Sequence, residues 1–255
     1  MFLVWRAQLG VVLCWLCANA QAFAQDAMPA ADTAAAASVP AIIRFPAGTF
    51  VQGSNDGAED ERPRRERALP AFRIDRTEVT RGAYGKCVAA KRCAPVAGVD
   101  GKALDAEAAQ LPVTNVSWAE AARYCQFVKG RLPSEAQWER AARGVDGRAY
   151  PWGDELSCTQ ANWGNFADEG PCAGVAPGHP VAVGSYPQGA TPEGAVDLAG
   201  NVWEWVDDKY EADRTRRVVK GGSCCSYFVQ PRAANRNAWA PTHRDEDLGF
   251  RCAYR

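Results

Sequence analysis

Apolar and polar positions change their rhythm several times along the chain, and each change marks a structural boundary. An unbroken apolar run covers Leu9 to Cys17, and residues 25–40 are dominated by Ala, Asp and Pro. From Ala41 the pattern turns extended. Ile42, Ile43 and Phe45 lead into Pro46-Ala47-Gly48-Thr49-Phe50, which predicts a strand broken by a turn. A charged loop follows from Glu59 to Arg67, then a second strand over Phe72 to Val79, with Thr80 placed to cap a helix running toward Lys91.

Two further helices carry clearer signals. Ser117 precedes Trp118, Ala121, Ala122, Cys125 and Val128, an apolar face at helical spacing that stops at Gly130. Ser134-Glu135-Ala136-Gln137 is a capping box that opens a helix with Trp138 and Ala142 on one side. Beyond Gly144 the helical period disappears. The remainder, rich in Gly, Pro and Trp, reads as loops and short strands such as Arg217 to Val219 and Phe250 to Ala253. With no internal repeat and no second linker, residues 41–255 are predicted to form one α+β domain with much irregular chain.

The first residues change the picture of where this domain works. Arg6, the apolar run and Ala22-Phe23-Ala24 make a basic n-region, an h-region and an A-x-A cleavage site, so a signal peptide over 1–24 is expected. The run is short for a bilayer span. Leu13 and Leu16 precede Cys14 and Cys17, where a lipoprotein signal needs a small residue. Residues 25–40 are then a flexible linker. Cleavage leaves eight of the ten cysteines and moves the net charge from −1 to −2. That charge gives no reason to expect a nucleic-acid partner. No second segment reads as membrane-spanning, so a periplasmic or secreted monomer is expected.

Eight cysteines in an oxidising compartment suggest structural bridges. Cys87 and Cys93 can close a small loop at a helix end, Cys158 and Cys172 can staple the segment between them, and Cys125 and Cys252 would tie the middle of the domain to its end. Sequence alone leaves the connectivity open.

Several segments, taken together and in order, resemble one family. They are Phe45-Pro46-Ala47-Gly48-Thr49-Phe50 with Gly53-Ser54; Pro112-Val113-Thr114-Asn115-Val116-Ser117-Trp118; Gly130-Arg131-Leu132-Pro133-Ser134-Glu135-Ala136-Gln137-Trp138-Glu139; Tyr150-Pro151-Trp152-Gly153; Asp197-Leu198-Ala199-Gly200-Asn201-Val202-Trp203-Glu204-Trp205; Gly221-Gly222-Ser223; and Gly249-Phe250-Arg251-Cys252-Ala253. The series is similar to the formylglycine-generating-enzyme, or sulfatase-modifying-factor, domain and covers about residues 41–255. The resemblance implies a distorted C-type-lectin-like fold and a Cys125–Cys252 bridge. It also implies calcium ions, one at Asn162 and Trp163 and one at Asn201, Val202 and Glu204. Asn201 and Glu204 offer the oxygen types calcium needs. Their plain structural reading is a turn cap and an arginine partner.

The active members of that family oxidise a cysteine of a sulfatase with oxygen and copper(I), held by two cysteines four residues apart after the Gly-Gly-Ser segment. Here Ser223 is followed at once by Cys224 and Cys225, and no further cysteine precedes Arg232. Copper(I) favours facing thiolates, whereas neighbours in an extended chain point to opposite sides. The candidate catalytic residues are therefore Ser223, Cys224 and Cys225, with the copper spacing lost. The family's iron-dependent branch needs histidine ligands, and His179 and His243 have no ligand-spaced companion.

No Gly-x-Ser-x-Gly elbow, His-Glu-x-x-His or P-loop is present. Asp207-Asp208 and Asp245-Glu246-Asp247 read as solvated turns. Trp203, Trp205, Tyr227, Phe228 and Trp239 read as core, with a subset able to line a cleft for an extended peptide. Two functions follow: a module that binds a protein or peptide partner in the periplasm, or an oxidoreductase acting on such a substrate through Cys224 or Cys225.

Overall fold

Alternate burial along the first strands creates the first sheet of the domain. In this computed structural model the described residues are 41–226 and 231–255, so the expected leader, the linker, Tyr227 and Phe228 lie outside them. Strand β1 (Ile42–Phe45) pairs antiparallel with β4 (Phe72–Asp75), and β4 pairs in turn with β9 (Ala253–Tyr254). Ile43, Phe45, Phe72 and Ile74 point to the buried side, and the Phe45 and Phe72 rings stack at 5.1 Å.

A separate hairpin joins β2 (Gly48–Gln52) to β3 (Arg65–Leu69). Much of β3 falls inside the stretch expected to be a charged loop. Its side chains are exposed up to Leu69, so no apolar period announces it, and the backbone ladder with β2 makes it a strand. The third sheet runs in the order β7 (Arg236–Trp239), β6 (Arg217–Lys220), β5 (Trp203–Lys209), β8 (Leu248–Gly249). Strand β5 is antiparallel to β6 and parallel to β8. It includes Asp207 and Asp208, which were expected in a turn. Asp208 Oδ2 accepts the Glu135 backbone N–H at 2.6 Å, at a helix N-terminus where anionic partners are favoured.

The helices begin where their caps predict. Thr80 accepts from Ala83 N at the start of α1 (Arg81–Ala89), and a short α2 (Ala106–Gln110), absent from the sequence reading, is capped by Asp105. Reciprocal Ser–Glu and Ser–Gln boxes open α3 (Trp118–Phe127) and α4 (Glu135–Arg143), and Gly144 ends α4 at φ 67°. Helix α4 departs from an ordinary amphipathic helix, because every residue in it is buried. Its charges survive there through pairing. Glu139 meets Arg143 at 3.0 Å, and Glu135 meets Arg236 at 2.9 Å. The fully buried Lys220 lies between Glu135 and Glu139, at 3.6 and 3.5 Å.

All three spacing-based bridges are present: Cys87–Cys93, Cys125–Cys252 and Cys158–Cys172. Cys125–Cys252 spans 127 residues of chain, and a loop of that size gives it the largest restraint on the unfolded state, about 5 kcal/mol in the chain-entropy picture. Among the described residues no helix is long and apolar enough to cross a membrane.

The strands expected over Phe72–Val79 and Phe250–Ala253 are both shortened, for one reason. Between β8 and β9 the chain directs Arg251 into the core, and the carbonyls of Asp75 and Arg76 turn toward its guanidinium at 3.3 and 3.1 Å. Val196 and Asp197 carbonyls accept at 3.0 and 3.1 Å, and the Glu204 carboxylate completes the shell at 2.7–3.0 Å. Trp138 of α4 donates to the same carboxylate at 2.7 Å. Neither Arg251 nor Glu204 has any solvent exposure. Glu204→Gln is expected to lower stability by about 3–5 kcal/mol, because it leaves a buried guanidinium uncompensated. Urea unfolding followed by tryptophan fluorescence measures it, and a loss below about 1 kcal/mol contradicts the central role given to this pair.

Candidate functional site

The Gly221-Gly222 pair lets the chain leave β6 at positive φ, 96° and 73°, with Gly221 lying against the Trp138 ring. Ser223 to Ser226 then form a tight turn, closed by Ser226 N donating to Ser223 O at 3.3 Å. Cys224 and Cys225 occupy its two central positions. A turn, unlike an extended chain, brings neighbouring side chains to one side, and the two sulfurs lie 3.1 Å apart. This corrects the expectation that adjacent cysteines face away from each other.

Backbone hydrogen bonds hold the turn firmly. Cys224 N donates to Asn201 O at 3.0 Å, and Cys224 O accepts from Asn165 N at 3.2 Å. Cys225 N donates to Ser223 Oγ at 3.2 Å, and Cys225 Sγ reaches the Gly178 carbonyl at 3.2 Å. Cys224 is fully buried while Cys225 is partly exposed. The hydrogen bond between the thiols pushes Cys224 well up, with burial adding to the rise, and draws Cys225 down from the usual thiol value. Thiolate character therefore concentrates on the more accessible sulfur.

Ser223 Oγ donates to Asp247 Oδ2 at 2.5 Å and lies 2.8 Å from Ser226 Oγ, which also receives the Trp203 indole N–H at 3.0 Å. Burial raises the Asp247 carboxyl, partly offset by the Ser223 bond. Sequence reading missed Asp247, Ser226 and Gly178. The acidic run 245–247 looks like a solvated turn until Trp203 N bonds the Asp247 carbonyl at 2.7 Å and anchors it beside β5. Trp203, which touches the turn through Ser226, meets Trp239 edge-to-face at 5.7 Å, Trp239 meets Trp205 likewise at 6.3 Å, and the His243 ring lies 5.0 Å from Trp239. The loop that contacts the turn through Asn165 and Gly178 exposes Phe166 and Val175. His179 is exposed, its imidazole meets only the Pro180 carbonyl, and its own carbonyl accepts from Asn162 Nδ2 at 2.9 Å.

The expected metal sites differ in how well their residues fit. Two facing thiolates on one ion, with metal–sulfur bonds of about 2.3 Å, stand about 4.6 Å apart. Sulfurs 3.1 Å apart in one rigid turn do not fit that arrangement for copper(I). Glu204 does not fit calcium either, since Arg251 and Trp138 occupy its oxygens. Asn201, at φ 60°, accepts from Asn162 Nδ2 and Val181 N and donates to Glu78, so its amide is filled as well. Val202 is fully buried between these two residues and has only its backbone carbonyl to offer. In the Asn162–Trp163 loop, by contrast, Asn162 Oδ1 is buried without a hydrogen-bond partner, as is the nearby Asn165 Oδ1. Such oxygens suit a hard cation. Trp163 itself donates its indole N–H to Ser157 O at 3.2 Å. No group of three or more His, Cys, Asp or Glu among the described residues is arranged around a metal position.

A polar cavity of about 500 Å³ lies elsewhere, lined by Arg64, Arg143, Arg148, Arg232 and Asp154 among others. It does not include the cysteine turn.

The short strands, capped helices and bridged loops define a formylglycine-generating-enzyme type of fold. The solved structure of PvdO from Pseudomonas aeruginosa matches with a TM-score of 0.67 at 26% identity, over 84% of this chain and 93% of that one. The sulfatase-modifying factor enzyme 1-like domain model matches residues 27–255, and the chain belongs to that family. It is 30% identical to the inactive C-alpha-formylglycine-generating enzyme 2 of Bos taurus, over 83% of this chain and 87% of that protein. It is 33% identical to the formylglycine-generating enzyme of Streptomyces coelicolor, over 83% and 88%. A relative named as the enzyme and one named as an inactive form thus match this chain to a similar extent.

Around Arg251, burial raises the carboxyls of Asp75, Glu78 and Asp197, with Asp75 pushed up to about 6. The unfolded chain releases such protons near pH 4, whereas the folded chain holds them longer. Below about pH 4 Asp75 imposes no cost on folding, and stability falls as pH rises from there through about 6, by about 3 kcal/mol. Asp75→Asn, which preserves shape, is expected to flatten that part of the profile. Urea midpoints taken across this range check it, and an unchanged slope rejects the assignment to Asp75.

Proposed function

We propose that this protein is an exported member of the family that binds an extended protein or peptide segment at the Ser223–Ser226 turn, without the copper-dependent oxidation of active relatives. One observation carries the reading: the two cysteines of the turn are adjacent, with sulfurs 3.1 Å apart, where copper(I) needs separated, facing thiolates. The surroundings remain ordered around Ser223, Asp247, Ser226 and Trp203, and Phe166 and Val175 offer apolar surface on the neighbouring loop. Three disulfides fit an extracellular or lumenal protein, and the leader-like sequence supports export, to the periplasm or outside the cell.

The test uses cysteine-containing extended peptides with the protein and copper(I) under air. Oxygen uptake is expected to stay at the level of the protein-free control, while peptide addition gives a saturable change in tryptophan fluorescence. Copper-dependent turnover of the peptide cysteine overturns the reading, and so does the absence of any saturable binding.

Calcium belongs to the proposal at one position only, with Asn162 Oδ1, Asn165 Oδ1 and the Trp163 carbonyl as its oxygen donors. There it would neutralise no carboxylate and would act by holding the loop that contacts the cysteine turn. Calcium at about 100 times its Kd is expected to raise stability by about 3 kcal/mol, and Asn162→Ala to abolish the rise. Thermal unfolding with calcium, magnesium or chelator measures this. Identical curves in all three for the unaltered protein remove calcium from the account.

A further inference from the structure

Six cysteines of the described domain are already bridged, and the two that remain are neighbours in one turn. Their sulfurs are in hydrogen-bond contact at 3.1 Å, with no other atom between them. A disulfide bond is about 1 Å shorter, so loss of two electrons and two protons to an oxidising partner would join the pair with little movement. The two positions differ in a way that suits exchange chemistry. Cys224 has no solvent exposure, and its backbone is fixed on both sides by Asn201 and Asn165. Cys225 is partly exposed and rests against the Gly178 carbonyl on the loop that carries Phe166 and Val175.

We propose that Cys224 and Cys225 form a vicinal dithiol–disulfide couple that exchanges with a disulfide in a cysteine-bearing peptide, Cys225 attacking and Cys224 resolving. The choice of a peptide as substrate rests on the binding reading given above. In the reductive direction Cys225 releases its proton to water and attacks one sulfur of the substrate disulfide. The substrate S–S bond breaks, one half leaves as a thiolate, and the other stays in a mixed disulfide on Cys225. Cys224 then loses its proton and attacks the Cys225 sulfur, the mixed bond breaks, and the second half leaves. The substrate disulfide has gained two electrons and two protons, and the cysteine pair has lost them. Run backwards, the same steps oxidise a substrate dithiol, so within one exchange the substrate itself is the oxidant or reductant, and a second disulfide or dithiol of the same class resets the pair.

Covalent geometry sets the character of the couple. Adjacent Cα atoms stand about 3.8 Å apart, short of the roughly 4.4–6.8 Å that disulfides prefer. The vicinal bond therefore stores strain and is reduced more readily than the three bridges at Cα separations of 5.3–5.5 Å. A couple that is easily reduced and easily reached at one sulfur is suited to cycling, and a structural bridge is not.

The experiment equilibrates the leader-free protein in graded mixtures of reduced and oxidised glutathione, traps thiols by alkylation and weighs the peptide that carries Cys224 and Cys225. That peptide is expected to pass from two alkyl groups to none, with the loss of two hydrogens, in mixtures that leave the other three bridges closed. Cys224→Ser should accumulate a glutathione mixed disulfide on Cys225, and Cys225→Ser should accumulate none; circular dichroism shows whether each variant is folded. The couple is overturned if the unaltered protein keeps both thiols alkylatable in every mixture, or carries glutathione on Cys225 to the same extent as Cys224→Ser. Replacing oxidised glutathione by a disulfide-bearing extended peptide separates the two proposals. Exchange at least about tenfold faster with the peptide supports both. Exchange with glutathione and no gain with peptide keeps the couple and removes the peptide substrate. Saturable peptide binding with no exchange removes the couple and leaves the binding function standing.

Discussion

Arg251 is a full positive charge with no access to water, and much of the domain is arranged around neutralising it. A guanidinium in the interior is tolerable only when a carboxylate and enough carbonyls surround its donors. Glu204 supplies the first from β5, while the ends of β4 and the Val196–Asp197 loop supply the second. Trp138 brings α4 to the same carboxylate. One ionic centre therefore holds four separate stretches of chain at fixed distances from the C-terminal segment, where regular secondary structure is sparse.

The same device is used again at α4. A helix bearing Glu135, Glu139, Arg140 and Arg143 looks suited to the surface, yet it is buried all round because Lys220 and Arg236 arrive from β6 and β7 to meet it. Buried ion pairs of this kind contribute little net stability, but leaving either partner alone is costly. They therefore select one arrangement of loops over others. The Cys125–Cys252 bridge works toward the same end by shrinking the unfolded ensemble.

This frame also governs what the site is able to do. Because Glu204 is committed to Arg251, it is withdrawn from cation binding, and the free amide oxygens lie instead in the loop of Asn162 and Asn165. Two glycines deliver the chain from β6 into a turn with both cysteines at its centre, pinned through Asn201 and Asn165. The scaffold of the family is retained, while the sulfur chemistry it presents has a different geometry from a copper centre.

Much of this was legible in the sequence wherever the signal is local. The caps at Thr80, Ser117 and Ser134, the apolar face of α3 and the Cys87–Cys93 and Cys158–Cys172 pairings depend on residues near one another, whereas Cys125–Cys252, 127 residues apart, is expected only from the placement of the cysteines and the family resemblance. The loss of the copper spacing after Ser223 was equally plain. Strand β3 was not legible, because its exposed, charged side chains carry no period, and its pairing with β2 is a backbone interaction that any sequence can make. Nor was the role of Asp247, which depends on Trp203 and Ser223 arriving from β5 and from the turn after β6. The position of the two sulfurs is hidden from the sequence for a similar reason: their orientation follows from the turn, and the turn is held by contacts with Asn165 and Asn201, far away in the chain. The sequence by itself determined which groups are available, and the tertiary structure decided which of them meet, since buried charges and hydrogen bonds are satisfied only by partners from distant segments.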